Sequence, residues 1–163
     1  MTDDSLPESV VRVADFLNDS RAEARIEEFS KGTPTAEAAA EAVGCKTDAI
    51  VKSLIFLCDA EAVLAMVAGS RRADEAKVRR STGSSAVRMA RPEVVLDRTG
   101  FEVGGVAPFP LPCIKHALID QTLLRHDIVW VGAGSSRHMA GLAPTELVRL
   151  TKAKATDISQ QPA

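Results

Sequence analysis

Apolar positions recur three or four apart across residues 9–23, where Val10, Val13, Phe16 and Leu17 would share one face. That period predicts an amphipathic helix, with Pro7 ahead of its first turn. Across residues 24–30 the alternation is looser and breaks at Lys31-Gly32-Thr33-Pro34, which predicts a short strand and a turn. Thr35 then stands at an N-cap position before an alanine-rich run, residues 36–43, of high helix propensity, and Gly44 offers a stop.

Two nearly continuous apolar runs, residues 49–58 and 62–68, are separated by Asp59-Ala60-Glu61 and predict a hairpin. Because neither run alternates cleanly, both faces of this sheet are expected to be covered. Gly69-Ser70-Arg71-Arg72 leads into a helical stretch over 73–81, a short strand is predicted over 86–90, and Pro92 opens a helix that stops at Gly100. A loop rich in glycine and proline spans 103–112. Beyond it the pattern predicts a strand over 113–119, a short helix over 121–125 capped by Asp120, and a strand over 128–131 running into Gly132-Ala133-Gly134-Ser135-Ser136. Pro144 opens a last helix with Leu147, Val148 and Leu150, and the polar residues 153–163 read as a flexible tail. Helices and strands interleave without a regular β-α-β repeat, so the expected class is α+β, a single domain over residues 1–152 with a mixed sheet flanked by helices.

Composition narrows the functional classes. At 163 residues the chain is long enough to bury a substantial core without staples. Twenty basic against 22 acidic side chains, a formal charge of −2, argue against coating nucleic acid by bulk charge and leave room for a local basic face. With five Phe, one Trp and no Tyr there is no aromatic platform for stacking a run of bases. Three widely spaced cysteines, Cys45, Cys58 and Cys113, fit a reducing compartment. The acidic opening Met1-Thr2-Asp3-Asp4-Ser5 does not resemble a signal peptide, and no apolar stretch approaches the ~20 residues of a membrane span, so a cytoplasmic protein without membrane contact is expected.

Most catalytic patterns are missing. Cys113 and His116, three apart on an expected strand, would face opposite sides, which weakens both a metal site and a Cys-His pair. Gly132-Ala133-Gly134 lacks the third glycine of a dinucleotide fingerprint and reads first as a tight turn. Two features stand out. Lys52 sits in the apolar strand Ile50-Val51-Lys52-Ser53-Leu54-Ile55, where its ammonium either escapes to water at an edge or points into a cleft. The loop Gly104-Gly105-Val106-Ala107-Pro108-Phe109 either makes a structural turn or presents backbone N–H groups to an oxyanion or phosphate.

Lys52 in Ile-Val-Lys-Ser-Leu, the Gly69–Arg72 turn, Thr99-Gly100-Phe101 through Phe109, Ile119-Asp120, and Val131-Gly132-Ala133-Gly134 before Leu142-Ala143-Pro144 together resemble the YbaK/prolyl-tRNA-synthetase-associated domain family, over about residues 30–152. The resemblance implies a curved mixed sheet and a free-standing aminoacyl-tRNA deacylase that uses no metal or other cofactor. Its substrate would be a tRNA, in the first place one for proline, mischarged with a small amino acid such as Ala, Cys or Ser. Lys52 falls on the family's functional lysine, and Gly104, Gly105, Val106, Ala107 and Pro108 fall on its substrate loop, with Gly134 and Ser135 nearby. Asp120 matches a family position that a helix cap explains equally well. Arg71, Arg72, Lys77 and Arg80 are candidates for acceptor-end phosphates, or form an ordinary solvated helix face. The implied partners are the aminoacyl end of a tRNA and prolyl-tRNA synthetase. The chain departs from the family pattern at Pro110-Leu111-Pro112 and around Met139, where some members carry an aspartate. A binding module of the same fold that lacks turnover is the alternative reading.

Overall fold

Capping chemistry sets most helix ends in the computed structural model, which describes residues 6–161. Helix α1 (Glu8–Asp19) starts after Pro7 and buries Val10, Val13 and Leu17. Strand β1 (Ala24–Glu28) follows. Helix α2 (Ala36–Val43) is capped by the Thr35 hydroxyl, which accepts from the Ala38 N–H at 3.0 Å, and it ends at Gly44 in the left-handed conformation. Asp74 caps α3 (Glu75–Thr82), while Pro92 and Pro144 occupy the first positions of α4 (Pro92–Thr99) and α5 (Pro144–Thr151).

The hairpin forms as β2 (Val51–Cys58) and β3 (Glu61–Ala68), paired antiparallel from Val51↔Ala68 to Cys58↔Glu61. They occupy the middle of a five-stranded mixed sheet in the order β4-β2-β3-β5-β8, with β4 at Val87–Met89, β5 at His116–Asp120 and β8 at Lys154–Thr156. β5 lies parallel to both β3 and β8. A second, antiparallel sheet has the order β1-β7-β6, with β6 at Val129–Ser135 and β7 at His138–Leu142. A bridge between Ile50 and Trp130 joins the two sheets.

The hairpin is covered on both faces, as its unbroken apolar runs require. Val51, Ile55, Leu64 and Met66 share one core with Val131 and Ala140 of the second sheet and with Phe101 and Phe109. Phe56, Val63, Ala65 and Val67 face the other way, against Val78 of α3 and Ile158. Full burial of a side chain the size of Phe56 is worth about 1.5–3 kcal/mol. Among the described residues no helix is long and apolar enough to cross a membrane.

Three details differ from the sequence pattern. Cys113 is not on a strand: it is exposed in a turn closed by the Ile114 N–H on the Leu111 carbonyl at 3.1 Å, and β5 begins only at His116. Prolines 110 and 112 withhold the N–H groups that an earlier strand start would need. β7 was not foreseen. Finally, the polar segment after Lys152 is not a free tail as far as Gln161: it adds β8 to the sheet edge and buries Ile158 and Ser159. Residues 1–5 of the expected domain and 162–163 of the expected tail lie outside the described residues.

Candidate functional site

The site begins with an interruption in the large sheet. β4 pairs with β2 only at Phe56, Leu57 and Cys58, and the Ala90 N–H closes the ladder on the Ile55 carbonyl at 2.9 Å. Ahead of Ile55 the same edge of β2 faces a cavity of about 540 Å³. Its other walls come from the start of α2, from Met89 and Val95 around the β4–α4 turn, from Val103, Gly104 and Val106, and from Gly132, Ser135, His138 and Met139 of the second sheet. The volume lies within the ~300–1,000 Å³ typical of small-molecule sites.

Lys52 is half-buried at this edge, and its ammonium donates to the Arg71 carbonyl in the turn after β3. Burial lowers the pKa of the amine below its usual 10.5; Glu37 of α2 opposes the shift, and Arg72 adds to it. An ammonium has three donors, so the bond to Arg71 leaves two for a ligand.

Two further residues that line the cavity carry an unused polar group. The Ser53 hydroxyl and the His138 Nε2 are both buried without a hydrogen-bond partner, although buried polar atoms are nearly always bonded. The ring of His138 is held from its other side, with Nδ1 2.6 Å from the Ser135 hydroxyl. That hydroxyl also accepts from the Arg137 N–H at 3.0 Å; if it gives its own proton to Nδ1, Nε2 carries the ring proton, and if Nδ1 donates, Nε2 is an acceptor. Burial is the largest influence on the imidazole and pushes its pKa down, favouring the neutral form. A bulge makes the pairing possible: between Gly132↔Met139 and Ser135↔His138, β6 carries two extra residues that swing Ser135 onto the histidine.

The glycine loop packs main chain against main chain. A Cβ on Gly132 would lie 2.5 Å from the Val106 carbonyl oxygen, and one on Gly105 would lie 2.8 Å from the Ser135 Cα. Only glycine allows this approach. The Gly134 N–H donates to the Gly105 carbonyl at 3.0 Å, and from behind, α1 braces the same bend through the Ser9 hydroxyl on the Gly134 carbonyl at 2.7 Å.

Of the residues singled out from sequence, Lys52, Gly104, Val106 and Ser135 line one cavity. Gly105 and Gly134 sit behind that wall, facing a separate cleft beside α1. Ala107 is fully buried in the core, and Pro108, with Pro110 and Pro112, lines a different depression near α5. The departure from the family pattern at Pro110 therefore lies away from this cavity, whereas Met139 lines it. Asp120 is completely buried at the end of β5; it caps the turn Gln121–Arg125 through Thr122 and accepts from the Ile158 N–H at 2.9 Å. Arg71 and Lys77 are engaged with the C-terminal segment, while Arg72 and Arg80 are exposed. Arg72 shares an adjoining cavity with Lys52 and Met89.

Sequence reading missed Ser53 and His138. The first is hidden beside Lys52 as an ordinary small strand residue, and the second belongs to the unforeseen β7. Among the described residues no three His, Cys, Asp or Glu side chains gather as a metal site.

Residues 30–150 match the model of the aminoacyl-tRNA editing domain. A Bacillus subtilis protein named YwhH is 36% identical over 130 residues, covering 79% of this chain and 82% of that protein. Proline–tRNA ligase of Nitratidesulfovibrio vulgaris is 33% identical over 118 residues, which span 72% of this chain but 20% of the ligase. A crystal structure of a candidate trans-editing enzyme for prolyl tRNA synthetase superposes with a TM-score of 0.89 at 36% identity, covering 96% of this chain and 99% of that one. Family match, fold and relatives agree: this chain belongs to the aminoacyl-tRNA editing domain family.

Proposed function

We propose that the protein is an aminoacyl-tRNA deacylase that acts in trans, cleaving the ester of a small amino acid from a mischarged tRNA. The observation that carries this reading is a single cavity lined by Lys52, Ser53 and His138, whose ammonium, hydroxyl and Nε2 all have hydrogen-bonding capacity to spare. An aminoacyl ester is already activated, so the protein's task is to hold it, orient a water and stabilise the charge that develops on the carbonyl oxygen. Water adds to the carbonyl carbon, the bond to the ribose oxygen breaks, and the ribose hydroxyl and free amino acid leave. In this reading Lys52 receives the oxyanion, with His138 Nε2 beside it as a donor in the tautomer that protonates it, and the backbone around Gly104 and Val106 holds the acyl group. No metal or cofactor takes part in this scheme.

Specificity follows from fit. A methyl or hydroxyl difference is worth only ~1–3 kcal/mol in a pocket, so alanyl, cysteinyl and seryl esters are candidate substrates and the larger prolyl ester is excluded by its ring. The synthetase relatives and the trans-editing structure support a tRNA for proline as the substrate and prolyl-tRNA synthetase as the partner whose errors are corrected. The test is incubation of the purified protein with alanyl-, cysteinyl-, seryl- and prolyl-tRNA, beside a Lys52→Ala control. The expected result is loss of one or more small amino acids with prolyl-tRNA untouched. Binding without acyl loss on any of the four would instead identify a recognition module without turnover.

A further inference from the structure

We propose that the C-terminal segment, residues 154–160, is a positioning element of the site, with Ser159 and Asp120 as positioning residues that fix the Lys52 ammonium through Arg71. The activity arm of the test rests on the deacylase reading above. The positional claim does not.

The segment lies beyond the part of the chain that matches the family, residues 30–150, and yet it is stitched to the turn that holds Lys52. Lys52 donates to the Arg71 carbonyl. The Arg71 guanidinium donates to the Ser159 hydroxyl at 3.3 Å, the Gln160 N–H to the Arg72 carbonyl at 2.8 Å, and the Asp74 N–H to the Ile158 carbonyl at 2.8 Å. Ala73 and Ser159 form an antiparallel bridge, so the turn and the segment run as a short ladder. At the far end the Ile158 N–H donates to Asp120 at 2.9 Å, and Lys77 ties down Asp157 at 3.0 Å and the Ser159 carbonyl at 2.8 Å.

The chemistry is more specific than edge packing needs. Ile158 fills the core beneath Leu54 and Phe56, on the face of β2 that also carries Lys52, and apolar contact alone would seat it there. Instead Asp120 and Ser159, 0% and 1% exposed, put buried polar atoms into the path. Such atoms are costly unless bonded, and their bonds tolerate one register of the segment only. That register sets the position of the Arg71 carbonyl, and so one of the three directions of the Lys52 ammonium. Two remain for the substrate. The other charged groups around the ammonium are Glu37 of α2 and Arg72, with Asp74 and Glu75 in the adjoining cavity; none belongs to the C-terminal segment.

The experiment titrates Lys52 by NMR in full-length protein carrying 13C-labelled lysine. The parent is compared with Asp120→Asn, Ser159→Ala and, as a packing control, Ile158→Val. In the parent Lys52 should titrate below 10.5. In Asp120→Asn and Ser159→Ala the midpoint should rise towards that value, because the released ammonium gains water. Ile158→Val should leave it in place even where its melting temperature falls as far. On a tRNA that the parent deacylates, the two polar variants should lose about tenfold or more in kcat/KM, since small displacements of a positioned group are costly. An unchanged Lys52 midpoint in both polar variants, or an equal rise in Ile158→Val, would overturn the proposal. A parent that deacylates nothing would refute the function proposed above and leave the titration to decide this point alone.

Discussion

Replacing Lys52 by Met separates chemistry from stability. The substitution keeps the length and the apolar stem and removes the charge together with the bond to Arg71. In the parent two N–H donors remain for the substrate; one charge-assisted bond to a developing oxyanion is worth ~1.5–3 kcal/mol, so kcat/KM should fall about 10- to 150-fold. Stability should change little, because the lost charge-assisted bond to a carbonyl, ~1.5–3 kcal/mol, is opposed by the relief of a half-buried charge. A net change of about 1 kcal/mol moves Tm by about 2–4 °C in a chain of this length. The pH dependence has a definite sign. The amine's pKa is lowered in the folded protein, so between that value and 10.5 the folded state binds fewer protons than the unfolded one. The parent's stability therefore rises with pH through this window, and any advantage of the Met variant shrinks there. The assay is acyl release from mischarged tRNA under single turnover, with thermal melts from neutral to alkaline pH. A Lys52→Met protein within about threefold of the parent's kcat/KM would refute the assignment.

His138 gives a signal on the acid side. Its pKa is lowered in the folded protein, so the neutral ring contributes stability above 6.5 that is lost as pH falls through the lowered value; His138→Leu should flatten this loss in melts between pH 7.5 and 5, and should lower deacylation by removing the unpartnered ring nitrogen. Gly132→Ala would place a methyl 2.5 Å from the Val106 carbonyl oxygen, so the loop or β6 must move, at a cost of ~1–3 kcal/mol in denaturant titration. An unchanged midpoint would show that the contact is looser than drawn. Arg72→Ala and Arg80→Ala, both at exposed positions, should each reduce the salt dependence of tRNA binding by about one phosphate contact. A salt slope equal to the parent's would make both arginines solvated surface.

How much could be read from sequence depended on how local the cause was. The limits of α2 rest on Thr35 and Gly44 and those of α4 on Pro92 and Gly100, and each pair acts within a turn of its own residue. The hairpin followed from two apolar runs long enough to pair along their whole length. β7 was invisible because Gly141 interrupts a five-residue strand whose burial is supplied by β1 and β6 on either side. β8 was missed because Lys154, Ala155 and Thr156 carry no apolar signal, and what holds the segment is Asp120, distant in sequence. Of the site, Lys52 and the glycine loop stood out as oddities in their surroundings, and the family resemblance set them together. His138 did not stand out, because its significance is a ring nitrogen left without a partner, a property of the packed protein.

The meeting of Gly105 with Ser135, and of Gly132 with Val106, means that this stretch of the cavity wall is a gauge made of peptide rather than of side chains. Side chains hop between rotamers within nanoseconds and let a tight site breathe; a wall of bonded, abutting main chain has no such freedom. An instrument that must distinguish ligands differing by one methyl needs that stiffness more than it needs tight contact. New specificities should therefore arise elsewhere on the lining, where side chains such as Met89, Ala36 and Ala39 can be exchanged, while the glycine side stays as the fixed jaw against which each ligand is measured.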